Sequence, residues 1–239
     1  MDDIVILSGA RTAIGGFGGS LAGIAPIDLG AHVARAALDR AGVDGAQIGH
    51  VVFGHVINTE PRDMYLSRVA AMQAGIPDTV PAMNVNRLCG SGAQAIVSVI
   101  QSLAMGDADF GLAGGAESMS RAPYILPSAR WGQKMGDADA QDMMLGALNC
   151  PFGTGHMGVT AENVSGEHGI SRAAQDAFAL DSQQRAASAI ADGHFADQIA
   201  PVEVKTRRGS WPSIPMNTPR PPPPMRWPGC GPPSARTAR

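Results

Sequence analysis

Apolar positions in this chain recur with two periods, one of strands and one of helices. Residues 4–7, Ile-Val-Ile-Leu, are a short apolar run and predict a strand. Residues 8–20 hold five glycines and predict a loop. Residues 25–41 read as a helix: Pro26 suits the first turn, Asp28 its positive end, and Gly42 stops it. Residues 48–53, with Val51, Val52 and Phe53 in a row, predict a strand, and 64–74 a second helix that stops at Gly75. A strand over 82–85, a buried helix over 93–105 and a strand over 110–113 follow. Strands alternating with helices imply parallel pairing through right-handed crossovers. Residues 1–120 therefore read as one layered α/β unit with a parallel-rich sheet.

From Arg121 the texture changes. Pro, Trp, Met and Gly replace regular patterning until Thr160. Residues 160–191 are helical, broken at His168-Gly169, restarted at Ser171 and ended by Gly193. Residues 121–209 are expected to form a mainly helical loop lobe that returns towards the first unit. Residues 210–239 hold ten of the eighteen prolines, two of the three tryptophans and no acid. Proline at that density prevents helix and sheet and favours an extended coil, so this tail is expected to be disordered.

Composition narrows the class. Apolar residues make up 44% and charged residues 16%, enough for a sizeable core. A net charge of −3 gives no electrostatic case for nucleic acid. Three cysteines, widely spaced and odd in number, form no disulfide framework and suit a reducing compartment. No apolar run is read as reaching the roughly 20 residues that span a bilayer. Met1-Asp2-Asp3 leads straight into the first apolar run, which is unlike a signal peptide. A cytoplasmic protein with neither membrane nor nucleic acid as partner is expected. His32, His50, His55, His168 and His194 show no metal-ligand spacing, and no metal is expected.

The candidate chemistry lies in residues 84–100. The chain there opens extended and polar, tightens through Gly90-Ser91-Gly92 and runs into an apolar helix. Cys89 stands at the helix entrance. A helix N-terminus carries unpaired N–H groups and a partial positive charge, and both favour a thiolate over a thiol. Glycines on either side of Ser91 allow close approach of a substrate. A buried structural cysteine beside a tight turn is the plainer reading; the whole constellation favours a nucleophile. The backbone N–H of Cys89 is a candidate oxyanion donor. His156, in a loop before a helix, reads on composition alone as a solvated side chain, Cys150 before Pro151 as structural, and Met143, Met144 and Leu145 as core filling.

Four segments in order carry a family resemblance. Asn86-Arg87-Leu88-Cys89-Gly90-Ser91-Gly92 resembles the nucleophile motif of the thiolases, enzymes that make and break 3-ketoacyl-CoA. Arg11-Thr12-Ala13-Ile14-Gly15, Ala113-Gly114-Gly115-Ala116-Glu117-Ser118-Met119-Ser120 and Gly155-His156-Met157-Gly158-Val159-Thr160-Ala161-Glu162-Asn163 are similar to that family too. The resemblance spans residues 1 to about 209. It implies a thiolase-like layered N-terminal domain, with 121–209 as a lobe over which CoA lies and 119–125 near a subunit contact. It implies acetyl-CoA C-acetyltransferase chemistry: an acetyl-Cys89 intermediate, with acetyl-CoA, acetoacetyl-CoA and CoA as substrates and no further cofactor. His156 would line the acyl pocket, and Leu148 and Met157 would flank the pantetheine arm. A homo-oligomer, a tetramer in the family, is implied. Two alternatives stand beside this: a thiolase of broader chain length, and a non-catalytic CoA-binding or oligomer-interacting remnant.

The sequence departs from the family in its tail. The family's activating histidine, its water-positioning asparagine and its second acid–base cysteine belong to a C-terminal half whose motifs do not occur here; Cys230, in Gly-Cys-Gly, only superficially resembles one of them. Shifted by one nucleotide with permitted codons, residues after 209 resemble a thiolase continuation. A frameshifted tail and a missing C-terminal thiolase domain are therefore expected, with a Pro-rich adaptor ligand as the alternative, and little turnover from this chain.

Overall fold

The computed structural model describes residues 3–206 and 209–212. Its centre is a parallel three-stranded sheet in the order β2-β1-β3, built from β1 (Ile48–Gly54), β2 (Ala82–Val85) and β3 (Phe110–Gly115). Val51, Val52 and Phe53 are all essentially buried, because helices cover both faces of a sheet made by crossover connections. Val51 and Phe53 face α1 (Pro26–Ala41) and α2 (Leu66–Gln73) through Ile27, Ala34, Leu38, Leu66 and Ala71. Val52 faces the other way, onto Ala95 and Val99 of α3 (Ser91–Met105). Full burial of each such side chain contributes about 1.5–3 kcal/mol. The caps of α1 follow its sequence: Pro at the first turn, Asp28 at the positive end, and Gly42 left-handed at φ 65°.

Two glycines set the distance between α3 and the sheet. A Cβ on Gly111 would lie 2.4 Å from Val99 Cγ1. A Cβ on Gly54 would lie 2.7–2.9 Å from the backbone and Cβ of Ser91 and the N of Gly92. The start of α3 therefore rests directly on the end of β1.

Three expectations are corrected. Residues 4–7 form no strand; Ile4, Val5, Ile6 and Leu7 are 39–80% exposed. An apolar run becomes a strand only with a ladder partner, and among the described residues this end pairs only at Arg11 with Ile199. The helix at 93–105 begins earlier, at Ser91, and is buried on one face only: Ile96, Val97 and Ile100 are 40–45% exposed. By length and composition the stretch Leu88–Met105 could cross a membrane, a match that a count of unbroken apolar residues misses. Here it lays Ala95 and Val99 on the sheet.

The lobe opens with short pieces and ends in two helices. β4 (Tyr124–Ile125) pairs antiparallel with β5 (Gln141–Asp142), and β6 (Asn149–Cys150) with β7 (Gly155–His156). Between the pairs lies α4 (Met143–Leu148); α5 (Met157–Glu167) and α6 (Arg172–Ala191) follow. The chain then returns to the first unit. Arg11 N donates to Gln198 O at 3.0 Å, Arg40 reaches Gly9 O and Gln198 O, and Val202 packs on Leu21 and Leu29. β8 (Glu203–Thr206) and β9 (Gly209–Pro212) form a hairpin. The first three residues of the expected disordered tail, 210–212, thus belong to a strand, with Pro212 at its end where a missing N–H is tolerated. The rest of the expected tail, with Cys230, lies outside the described residues.

Candidate active site

The turn between β2 and α3 is closed by its own short hydrogen bonds. Gly90 N donates to Arg87 O at 3.0 Å and Ser91 N to Leu88 O at 2.9 Å. The buried Ser91 hydroxyl donates to Leu88 O at 2.6 Å and accepts from Arg87 N at 2.8 Å. Leu88 carries φ 49°, alone among the described non-glycine residues in being positive. A left-handed residue other than glycine costs about 1–3 kcal/mol. Burial does not offset this, because Leu88 is 56% exposed. The hydrogen bonds must hold it, including Leu88 N to Asn86 Oδ1 at 3.0 Å.

This turn presents Cys89, exposed, one residue before the N-cap Gly90. No side chain caps the helix and no acid stands in its first turn. A Cβ on Gly92 would meet nothing within 4 Å, so the space over the first turn is open. An exposed thiol beside uncapped helix N–H groups is an arrangement that receives negative charge developing on a neighbouring atom.

Beneath the turn lies a polar cluster that sequence reading missed. His55 and Asp63 are buried, with His55 Nε2 3.8 Å from Asp63 Oδ2. His55 Nδ1 donates to Ala116 O at 2.8 Å, which places its proton on Nδ1. Glu117 accepts from Val56 N at 2.9 Å and from Ile57 N at 3.1 Å. Asp63 accepts from Thr59 N, Thr59 Oγ1 and Glu60 N. No short motif marks the His55–Asp63 pair, and the other partners of His55, Ala116 and Glu117, stand far off in sequence. Glu117 lies within a motif already singled out and was given no role.

In the lobe the hairpin register brings the predicted residues into one place. Asn149 pairs with His156 and Cys150 with Gly155, so Leu148, His156 and Met157 are neighbours. His156 is the N-cap of α5: its Nδ1 accepts from Gly158 N at 3.0 Å, leaving the ring proton on Nε2. His156 and Met157 are exposed and Leu148 half-buried. Among the described residues no hydrogen bond joins Cys89 to any of them. The Thr154 hydroxyl, then the backbone N–H groups of Thr154 and Phe152, hydrogen-bond the Cys150 sulfur and hold its pKa below the ordinary thiol value. A cleft of about 800 Å³ between α1 and β8, lined by Asp28, His32, Arg35 and Glu203, includes none of the predicted site residues. Among the described residues no group of His, Cys, Asp and Glu has the arrangement of a metal site.

Known proteins share the sequence and the fold. A beta-ketothiolase from Cupriavidus necator is 62% identical over 207 residues, covering 87% of this chain and 52% of the relative. An acetyl-CoA acetyltransferase from the same organism is 47% identical, with 87% and 53% covered. Among solved structures, the Bacillus anthracis acetyl-CoA acetyltransferase matches with TM-score 0.82 and 38% identity, covering 87% of this chain and 52% of that one. Human mitochondrial 3-ketoacyl-CoA thiolase matches with TM-score 0.84 and 38% identity, covering 87% and 53%. The chain spans about half the length of these relatives. The family model for the thiolase N-terminal domain matches residues 4–222, past the point at 209 where the resemblance was expected to stop. Over that span, from ahead of the sheet to beyond the lobe, the chain belongs to the thiolase family, as its N-terminal domain.

Proposed function

We propose that this chain performs the acyl-accepting step of a thiolase, with Cys89 as nucleophile. The Cys89 thiolate attacks the carbonyl carbon of acetyl-CoA, the tetrahedral intermediate expels CoA thiolate, and an acetyl-thioester remains on Sγ. CoA leaves as its thiol after taking a proton. A second acetyl-CoA, deprotonated at its methyl, attacks that thioester, giving acetoacetyl-CoA and regenerating Cys89; thiolysis is the reverse. The Cys89 N–H and the open N–H groups of the first turn of α3 would hold the oxyanion. Leu148, His156 and Met157 would contact the acyl-pantetheine arm. CoA thioesters are substrates, and no cofactor enters the scheme. The family's association as a homo-oligomer and a cytoplasmic location belong to the same reading. The observation that carries it is the strained turn, which exposes Cys89 at an uncapped helix N-terminus. Neither a base for the thiol nor a second acid–base group is hydrogen-bonded to Cys89 among the described residues, so acetylation is expected to outpace turnover.

Incubation with acetyl-CoA, followed by peptide mass mapping, tests this. Acetyl is expected on Cys89 and absent from Cys89→Ser. Acetylation of Cys150 with Cys89 unmodified overturns it. The likeness to a 3-ketoacyl-CoA thiolase in sequence and fold supports a second reading, a thiolase of broader chain length. A chain-length series of acyl-CoA donors separates the two.

A further inference from the structure

We propose that Asn86 is a positioning residue for Cys89: its amide clamps Leu88 in the left-handed conformation and ties the turn to the strand end that Glu117 secures. The inference deepens the nucleophile reading above and rests on it for its purpose, though not for its geometry. Leu88 is the residue immediately before the thiol, and it holds a backbone conformation that leucine avoids. Its side chain is mostly solvent-exposed, so no packing enforces that conformation.

Asn86 supplies the outside support. Its Oδ1 accepts from Leu88 N at 3.0 Å, and its Nδ2 donates to Val56 O at 3.4 Å. Val56 is itself fixed. Its N–H donates to Glu117 Oε2 at 2.9 Å, and the next N–H, of Ile57, donates to Oε1 at 3.1 Å. His55 N donates to Val85 O at 3.1 Å, and its ring holds Ala116 O, so 55–57 is bound to β2 on one side and to the end of β3 on the other. One carboxylate thus holds a segment, the segment holds one amide, and the amide holds the strained residue. The Ser91 hydroxyl closes the turn from within, whereas Asn86 anchors it to the sheet. Without that anchor Leu88 relaxes to its ordinary conformation, and Cys89 loses its fixed place at the helix end.

The test reads alkylation of Cys89 by limiting iodoacetamide in the full chain, with Cys150 in the same sample as reference. Asn86→Ala is expected to slow Cys89 alkylation about tenfold, the scale set by holding a non-glycine residue left-handed, with Cys150 unchanged. Two further variants exclude a general structural effect. Asn86→Ser keeps a hydroxyl acceptor two residues ahead of Leu88 N and should stay within about threefold of the parent. Asn86→Ala/Leu88→Gly removes the conformational penalty itself and should recover most of the lost rate. If Asn86→Ala alkylates like the parent, or the Leu88→Gly double variant stays as slow as Asn86→Ala, the proposal is overturned. Should Asn86→Ala fail to fold, the Asn86→Ser rate decides: a tenfold loss there overturns it. If Cys89 never accepts acetyl from acetyl-CoA while these alkylation differences stand, the nucleophile reading falls and the positioning role of Asn86 holds.

Discussion

Residues 26–115 hold a core of fully buried large apolar side chains; residues 121–199 hold none. Phe53 and Leu66 are at most 1% exposed, whereas Trp131, Phe152 and Phe178 are 77–93% exposed. No residue from 121 to 199 is buried. The two regions are therefore held by different forces. The sheet unit is held by burial on both faces of β1. The lobe is held by local devices: Asp142 caps α4, His156 caps α5, Ser171 caps α6, and the pairs Arg172–Asp176 and Asp181–Arg185 run along α6. A cap contributes about 1 kcal/mol, and an exposed helical ion pair, screened by water, contributes less. The proposed nucleophile thus stands on the region with a buried core, and the residues proposed to meet the acyl-CoA arm stand on the region without one.

The widest contrast should come from matched deletions. Phe53→Ala is expected to destabilise the sheet unit by about 3–5 kcal/mol, whereas Phe178→Ala should stay within about 0.5 kcal/mol. Urea denaturation checks both, and comparable losses would erase the distinction between the regions. A smaller effect sharpens the picture at the site. Gly54→Ala places a methyl against Ser91 and Gly92 and should cost about 1–3 kcal/mol while slowing Cys89 acetylation. Gly92→Ala meets open space, and as a helical residue it should be neutral or stabilising by about 0.5–1 kcal/mol.

The smallest effect lies in the lobe and depends on pH. The Arg172 guanidinium hydrogen-bonds Asp176 and holds its carboxyl below the ordinary aspartate pKa. A depressed folded pKa means that the pair supports α6 above the unfolded aspartate value and stops doing so as pH falls through the folded value. Helicity followed by circular dichroism should decline slightly across that acid window, and Asp176→Asn should remove the decline.

The sheet unit was legible because its signals are local. The run Val51-Val52-Phe53 announces a strand buried on both faces, and Pro26, Asp28 and Gly42 announce the ends of α1. β2 lies where its pattern puts it, over Ala82–Val85. Residues 4–7 misled because an apolar run states a preference and says nothing of a partner. At the site, Gly90-Ser91-Gly92 advertised the turn, but the strained position fell on Leu88, whose identity advertises nothing. His156 drew attention as a pocket residue, which hid its service as the cap of α5. Cys150 reads as structural, and the lowering of its pKa by Thr154 is set by the hairpin turn rather than by a motif. The contact of the buried His55 with Ala116 joins strand ends that only the folded sheet brings together.

The seat of α3 on Gly54 also carries a statement about time. Helix α3 is local and can begin to form from its own sequence, while the contact of Gly54 with Ser91 and Gly92 bridges β1 to a later element. Such non-local contacts form slowly, and two paired strands alone are marginal without a third. During synthesis the segment through Met105 emerges before Phe110–Gly115, the strand that completes the sheet on the far side of β1. For that interval the cysteine motif is complete as a sequence and has no settled platform. The place of the thiol thus depends on contacts that reach across the chain, from β1 to α3 and from β1 to β3, and not on the cysteine motif alone.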